Sequence, residues 1–140
     1  MTEARIPAKP LPRATKDSEE FWAFTANGEL MLRICNACGN KMYYPRVLCT
    51  KCMSLDLGWE PVSGRAVVHA FTIIYRPPSP VFLAEVPYIL MIAALEEGPR
   101  LMSNLIDCPH DMISIGMPVE LYLEPAGEGI SLPKFRPRKT

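Results

Sequence analysis

No stretch of this chain is long and apolar enough to span a bilayer. Its opening, "MTEARIPAKPLPRATKD", also lacks the apolar block of a secretory signal. Both absences point to a cytoplasmic chain, where thiols stay reduced. There is no excess of charge either: 15 Lys and Arg balance 15 Asp and Glu. No whole-molecule field draws such a chain to membrane or nucleic acid. The familiar catalytic signatures are missing too, with no G-x-S-x-G, no glycine-rich phosphate loop and no H-E-x-x-H. Of the two histidines, His69 falls mid-strand and reads as a core or barrel-face residue rather than a general base. His110 lies in the turn "CPHD" and reads as solvent-exposed. Cys108, a single thiol before a proline turn, reads as a small buried hydrophobe rather than a thiolase-style nucleophile. These readings disfavour an autonomous enzyme.

What the chain has in quantity is proline, 15 in 140 residues, about twice the ordinary share. Spread as they are, these prolines exclude long helices and favour short strands with fixed turns. Residues 1–16, with Pro7, Pro10 and Pro12 among charges, read as an extended arm. "DSEEFWAFTANG" then predicts a short helix with Asp17 as N-cap, Glu20 as its reciprocal partner and Gly28 as the stop. Phe21, Trp22 and Phe24 give that helix an apolar strip, which packs on its own domain or docks on another subunit. "ELMLRI" alternates and runs into the cysteine segment. From Trp59 onward the text is all-β. "GRAVVHAFTIIY" (64–75) is a strand with Val67, His69, Phe71, Ile73 and Tyr75 on one face and the intervening residues on the other. Further strands fall at 88–95, 100–106, 117–124 and 130–137, with Gly98 in a tight "EEGP" turn and a short helical turn at 108–116. Five strands in this order fit a Greek-key barrel of the OB type, although periodicity alone also allows a five-stranded sandwich.

Four of the five cysteines sit in "RICNACGNKMYYPRVLCTKCMS" (33–54) as two C-x-x-C pairs. Each pair lets two thiolates grip one ion from a single turn. The ten residues between Cys38 and Cys49 are enough for a hairpin that brings the pairs together. Four sulfurs at tetrahedral corners make the closed coordination of structural zinc, with no open position for water or substrate. Gly39 suits the left-handed backbone a knuckle requires, whereas Met53 follows the second pair, a less favourable choice. A disulfide framework would leave Cys108 over, and a thioredoxin-like redox pair would need a helix-opening βαβ setting absent here. An iron centre would use the same four sulfurs, so iron and electron transfer stay open beside zinc. A segment of about 25 residues cannot bury enough surface to fold alone. Structural zinc supplies roughly 10–16 kcal/mol of apparent binding free energy, so the ion holds shape and does not catalyse.

Two stretches read as recognition surfaces. "RPPSPVFLAEVP" (76–87) carries four prolines with Arg76, Val81, Phe82 and Leu83. It is either a stiff apolar loop that binds at low entropic cost or one folded over its own barrel mouth. "LPKFRPRKT" sets Lys134, Arg136, Arg138 and Lys139 around Phe135, as a phosphate-facing tail or a solvated basic end.

The order aromatic helix, C-x-x-C-G, "YPR", C-x-x-C, "SGR…FT", "PY", "EGPRL", "IGMPVE", "LPKFRP" resembles the zinc-ribbon and OB-fold proteins first catalogued as domain of unknown function thirty-five. The likeness runs over about residues 17–137. It implies a mainly β chain in three parts: an arm and aromatic helix at 1–29, a rubredoxin-like four-cysteine zinc ribbon at 30–57, and a five-stranded OB barrel with a basic tail at 58–140. It assigns Cys35, Cys38, Cys49 and Cys52 as ligands of one structural zinc. Pro45 and Arg46 match the "PR" between the knuckles, while Gly64, Phe71, Pro87, Tyr88, Gly98, Asn104, Gly116 and Pro118 match barrel motif positions. Members of the family are accessory subunits of thiolases, of thiolase-fold lipid-transfer-protein aldolases and of hydratases acting on acyl-CoA thioesters, and they bring no agreed catalytic residue. The resemblance therefore implies a non-catalytic subunit in a hetero-oligomer with a thiolase-like enzyme, with a coenzyme A thioester as candidate shared ligand. Candidate partner or coenzyme A contacts are Phe21, Trp22, Phe24, Arg46, Arg76, Val81, Phe82, Leu83, Phe135 and Arg136. The competing readings are a nucleic-acid-binding ribbon and barrel, against which the zero net charge speaks, and a free-standing acyl-CoA binder.

Overall fold

A computed structural model describes residues 9–138, so Pro7 of the arm and Lys139 of the tail lie outside the described residues. The first element is helix α1, Glu19–Ala26. Its N-cap is Ser18 and makes no side-chain capping bond. The expected capping box does not form because both of its members are engaged elsewhere. The Thr15 hydroxyl donates to the Asp17 carboxylate, and Glu20 accepts a 2.6 Å hydrogen bond from the Trp59 indole N–H. Gly28 ends the helix as expected, at φ 85°.

Three strands follow in an antiparallel sheet of order β2-β1-β3: β1 Met31–Cys35, β2 Lys41–Met42 and β3 Leu57–Pro61. The boundary expected at 57/58 falls inside β3, which pairs along its whole length with β1. The remaining strands are β4 Arg65–Ile74, β5 Tyr88–Leu95, β6 Arg100–Leu105, β7 Pro118–Gly127 and β8 Ile130–Pro137. They close into a five-stranded barrel of order β4-β5-β6-β8-β7, the OB arrangement. Between β4 and β5 runs the proline-rich loop with a single 3-10 turn, Pro80–Phe82.

The barrel interior holds Val68, Ile89, Met91, Leu101, Val119 and Phe135, all at most 2% exposed. Leu32 of β1 belongs to the same cluster, and Tyr43 packs against it. The ribbon sheet is thus fastened into the barrel core.

Three local readings change. Residues 108–116 form two hydrogen-bonded turns, closed by Met112 N–H to Pro109 O at 2.9 Å and Met117 N–H to Ser114 O at 3.2 Å, and no helix. The regular two-residue period expected through 64–75 is broken by a bulge, since Val68 pairs with Ala93 and Ala70 with Ile92, leaving His69 unmatched. Ala66 and Val68 therefore face the core before the bulge, and Phe71 and Ile73 face it after, while His69 is exposed outside. The basic residues of the last strand are already paired within the barrel. Arg136 pairs with Glu120 at 3.0 Å and Lys134 with Glu124 at 3.3 Å, so cross-strand carboxylates, not a phosphate, already face these two cations.

Candidate metal centre and its surroundings

The hairpin of β1 and β2 carries the first knuckle, and the loop before β3 carries the second. Gly39 N–H closes the first turn on Cys35 O at 2.8 Å, and Met53 N–H closes the second on Cys49 O at 3.0 Å. The leading cysteine of each knuckle, Cys35 and Cys49, is buried, while Cys38 and Cys52 are exposed. All four sulfurs lie within 4.8 Å of one another, with Cys35 to Cys52 at 3.5 Å and Cys38 to Cys49 at 3.6 Å. A tetrahedral zinc with sulfurs at about 2.3 Å requires sulfur–sulfur edges of about 3.8 Å. The set fits a structural zinc ion.

The backbone prepares the two leading sulfurs, those of Cys35 and Cys49, as thiolates. The amides of Lys51 and Cys52 both donate to Cys49 Sγ at 3.4 Å. Donation led by the Cys52 amide lowers the Cys49 thiol to about 6. The amide of Cys38, with that of Ala37, lowers Cys35 in the same way. Cys52 goes the other way: the Ser54 amide lowers it, but Cys35, Cys38, burial and Cys49 together push it up to about 12. Four thiolates cannot sit this close without a cation between them, which is the chemistry a divalent ion supplies here.

The other expected contact residues do not form one site. Phe21 is buried, edge-on to Tyr43 at 5.8 Å, and Phe135 is wholly buried in the barrel. Both are spent on the chain's own core, which corrects their assignment as outward contacts. Trp22 and Phe24 are half-buried, Phe24 lying edge-on to Trp59 at 5.4 Å. Arg46 is exposed on the ribbon side. Arg76 and Leu83 are exposed on the proline-rich loop, with Val81 and Phe82 half-buried there, Phe82 leaning on Tyr88 at 6.4 Å. Cys108 is partly buried beside the core; desolvation and then Asp111 raise its thiol, the opposite of an activated nucleophile.

Two features escaped the sequence reading. The Arg33 guanidinium lies 4.1 Å over the Trp59 ring, tying β1 to β3 on the side where α1 packs. A shallow apolar groove of about 200 Å³ lies outside the barrel, over β4, β5 and β6, and its lining includes Ala70, Thr72, Leu90, Ile92 and Met102. The signal for it was β5 itself, "YILMIAAL", apolar at nearly every position where a half-exposed strand should alternate.

Residues 22–58 match the ChsH2 rubredoxin-like zinc ribbon domain, and residues 59–124 match the ChsH2 C-terminal OB-fold domain. Over 95 residues the chain is 34% identical to a DUF35 domain-containing scaffold protein of Methanothermobacter thermautotrophicus, covering 67% of this chain and 71% of that one. The chain belongs to the DUF35 family. It is also 33% identical over 129 residues, 92% of its length, to a Thermomonospora curvata protein named probable enoyl-CoA hydratase alpha subunit. It spans only 40% of that subunit. A solved structure described as Ltp2-ChsH2(DUF35) aldolase shares 32% identity and a TM-score of 0.81, over 91% of this chain and 98% of the other. A DUF35 structure from Sulfolobus solfataricus, at 15% identity and a TM-score of 0.63, shares the fold. Among the described residues no helix is long and apolar enough to cross a membrane.

Proposed function

We propose that this chain is the non-catalytic, zinc-binding subunit of a cytoplasmic thiolase-fold complex, an aldolase or thiolase that makes or breaks C–C bonds in acyl-CoA thioesters. The observation that carries this reading is the match to a chain of the structure described as Ltp2-ChsH2(DUF35) aldolase, over 98% of that chain. The same unit accounts for only 40% of the hydratase subunit it resembles, so what recurs across these relatives is a ribbon and barrel. The site chemistry supports an accessory role. Four sulfurs leave a zinc ion no open position, and the one cysteine outside the cluster, Cys108, is held as a thiol. A coenzyme A thioester is the proposed shared ligand, with the exposed Arg46 and Arg76 available to its phosphates.

The test is co-expression with a thiolase-fold protein encoded in the same genome. Co-elution, with C–C bond chemistry that falls when this chain is withheld, is the expected result. Separate elution with full activity in the enzyme alone, or thioester turnover by this chain alone, overturns the proposal.

A further inference from the structure

An OB barrel strand normally buries one face and wets the other, yet β5 is apolar on both. Its inward side chains, Ile89, Met91, Ala93 and Leu95, are buried. Of its outward ones, Leu90, Ile92 and Ala94 are flanked in register by β4 and β6, and Tyr88 by β4. One cross-strand row is Ala70, Ile92 and Met102; the next is Thr72, Leu90 and Asn104. No position of this face carries a carboxylate, and Met102 at its centre is 59% exposed. The bulge at His69 widens it by setting the small Ala70 and Thr72 outward, which opens the groove beside Met102. At the end where β4 and β5 part, Tyr75 and Leu83 stand 68% and 53% exposed.

The charges around the face decide the occupant. Arg100 lies on it and Arg76 just past it, and among the described residues neither forms an ion pair. Of the carboxylates at its two ends, Glu85 and Glu96 are held by Lys9 at 2.9 Å and Arg65 at 2.8 Å, and Glu97 is turned to the Ser63 amide at 2.8 Å. Asp107, beyond β6, offsets one of the two free arginines and leaves a positive surplus. A second copy docking face to face would bring this positive rim onto itself. It would also bury only about 600 Å², taking three strands of about 20 Å at ordinary spacing, below the roughly 1,200 Å² of a stable complex. A larger partner reaching the proline-stiffened loop as well escapes both limits.

We infer that the outer face of β4, β5 and β6 is the surface on which this chain docks its enzyme subunit, and that the partner presents an apolar patch rimmed by carboxylates. The inference rests on the accessory-subunit reading above and names the face that serves it. The rival surface is the ribbon tip, where Met53 and Leu55 are 71% and 76% exposed.

The measurement is the affinity of the full chain for the co-expressed thiolase-fold subunit, with zinc content and thermal unfolding recorded for every variant. Met102→Glu and, independently, Thr72→Glu are expected to weaken binding at least tenfold with zinc retained, while Met102→Leu and Leu55→Glu stay within about twofold. Arg100→Glu is expected to weaken binding about three- to tenfold at low salt, and less as salt rises. Undiminished binding by both face variants, or loss confined to Leu55→Glu, overturns the docking face while leaving the accessory role intact. Wild-type chain that does not bind overturns both. A wild-type chain that elutes as a dimer dispersed by Met102→Glu overturns the enzyme subunit as occupant in favour of a second copy.

Discussion

Met53 stands in the second knuckle where Gly39 stands in the first, and both backbones are left-handed, at φ 64° and φ 79°. The two turns are built alike, each closed by an amide bonded back to the leading cysteine's carbonyl. Only one uses the residue that adopts this conformation freely. The side chain of Met53 points into solvent, 71% exposed, so burial offsets little of the strain.

Met53→Gly should therefore stabilise the ribbon. Left-handed backbone costs a non-glycine residue about 1–2 kcal/mol, and glycine's added chain entropy takes back roughly 0.5–1 kcal/mol. A net gain of about 0.5–1 kcal/mol should appear as a higher denaturant midpoint for the zinc-loaded chain. An unchanged or lower midpoint would show that the methionine packs in a way its exposure denies.

Acid should release the metal. The fold lowers Cys49 from 9.0 to about 6, a depressed value, so its contribution to stability is complete above the ordinary thiol pKa. That contribution shrinks as the pH falls and is gone below about 6. Zinc release followed with a chromogenic chelator should accordingly rise as the pH falls from about 9 to about 6. Thermal unfolding at each pH should fall in parallel. Release independent of pH over that window would mean that the amides at Cys49 do not hold its thiolate.

Removing the ion at neutral pH should loosen the barrel as well as the ribbon. Leu32 of β1 packs in the barrel core and Tyr43, just past β2, packs against it, so a ribbon that unravels takes them along. Chelation, or Cys49→Ser, should increase hydrogen exchange in β4 and β7 as well as in residues 31–61. Protection unchanged in the barrel would mean that the two parts fold independently.

The metal ligands were legible because C-x-x-C spacing is coordination chemistry written within a few residues. The barrel strands were legible because proline and glycine mark their ends: the expected strand at 88–95 and the Gly98 turn are where the sequence put them. Phe135 was misjudged from its basic neighbours, although strand alternation turns Lys134 and Arg136 out and Phe135 in. The helix cap was misjudged because the partners of Asp17 and Glu20 include Trp59, far off in sequence. The outer apolar face stayed hidden because hydrophobicity on two sides of a strand acquires meaning only when the barrel shows which side is filled.

Phe135→Ala offers a direct measure of that misjudgement. A large side chain wholly buried between β6 and β7 should cost about 3–5 kcal/mol on truncation. A surface contact would cost within about 0.5 kcal/mol. Chemical denaturation of the free chain distinguishes the two without any partner present.

His69 separates what a side chain does from what its place in the chain does. Its imidazole is exposed, so His69→Ala should change stability by no more than about 0.5 kcal/mol. Deleting the residue should be tolerated as well. Val68 already pairs with Ala93 and Ala70 with Ile92, so without the extra position these become consecutive in a regular strand. Phe71 and Ile73 stay turned in, and Ala70 and Thr72 stay turned out. The loop bonds Gly116 N–H to Val68 O at 2.8 Å and Val68 N–H to Met117 O at 3.0 Å pin the strand on the near side, so what the deletion removes is the local bend and twist of the bulge. The deletion variant should thus keep a cooperative melt, at a cost of about 1–3 kcal/mol for straightening β4. Loss of cooperative melting would mean that the barrel needs the bend itself and not only the register on either side of it.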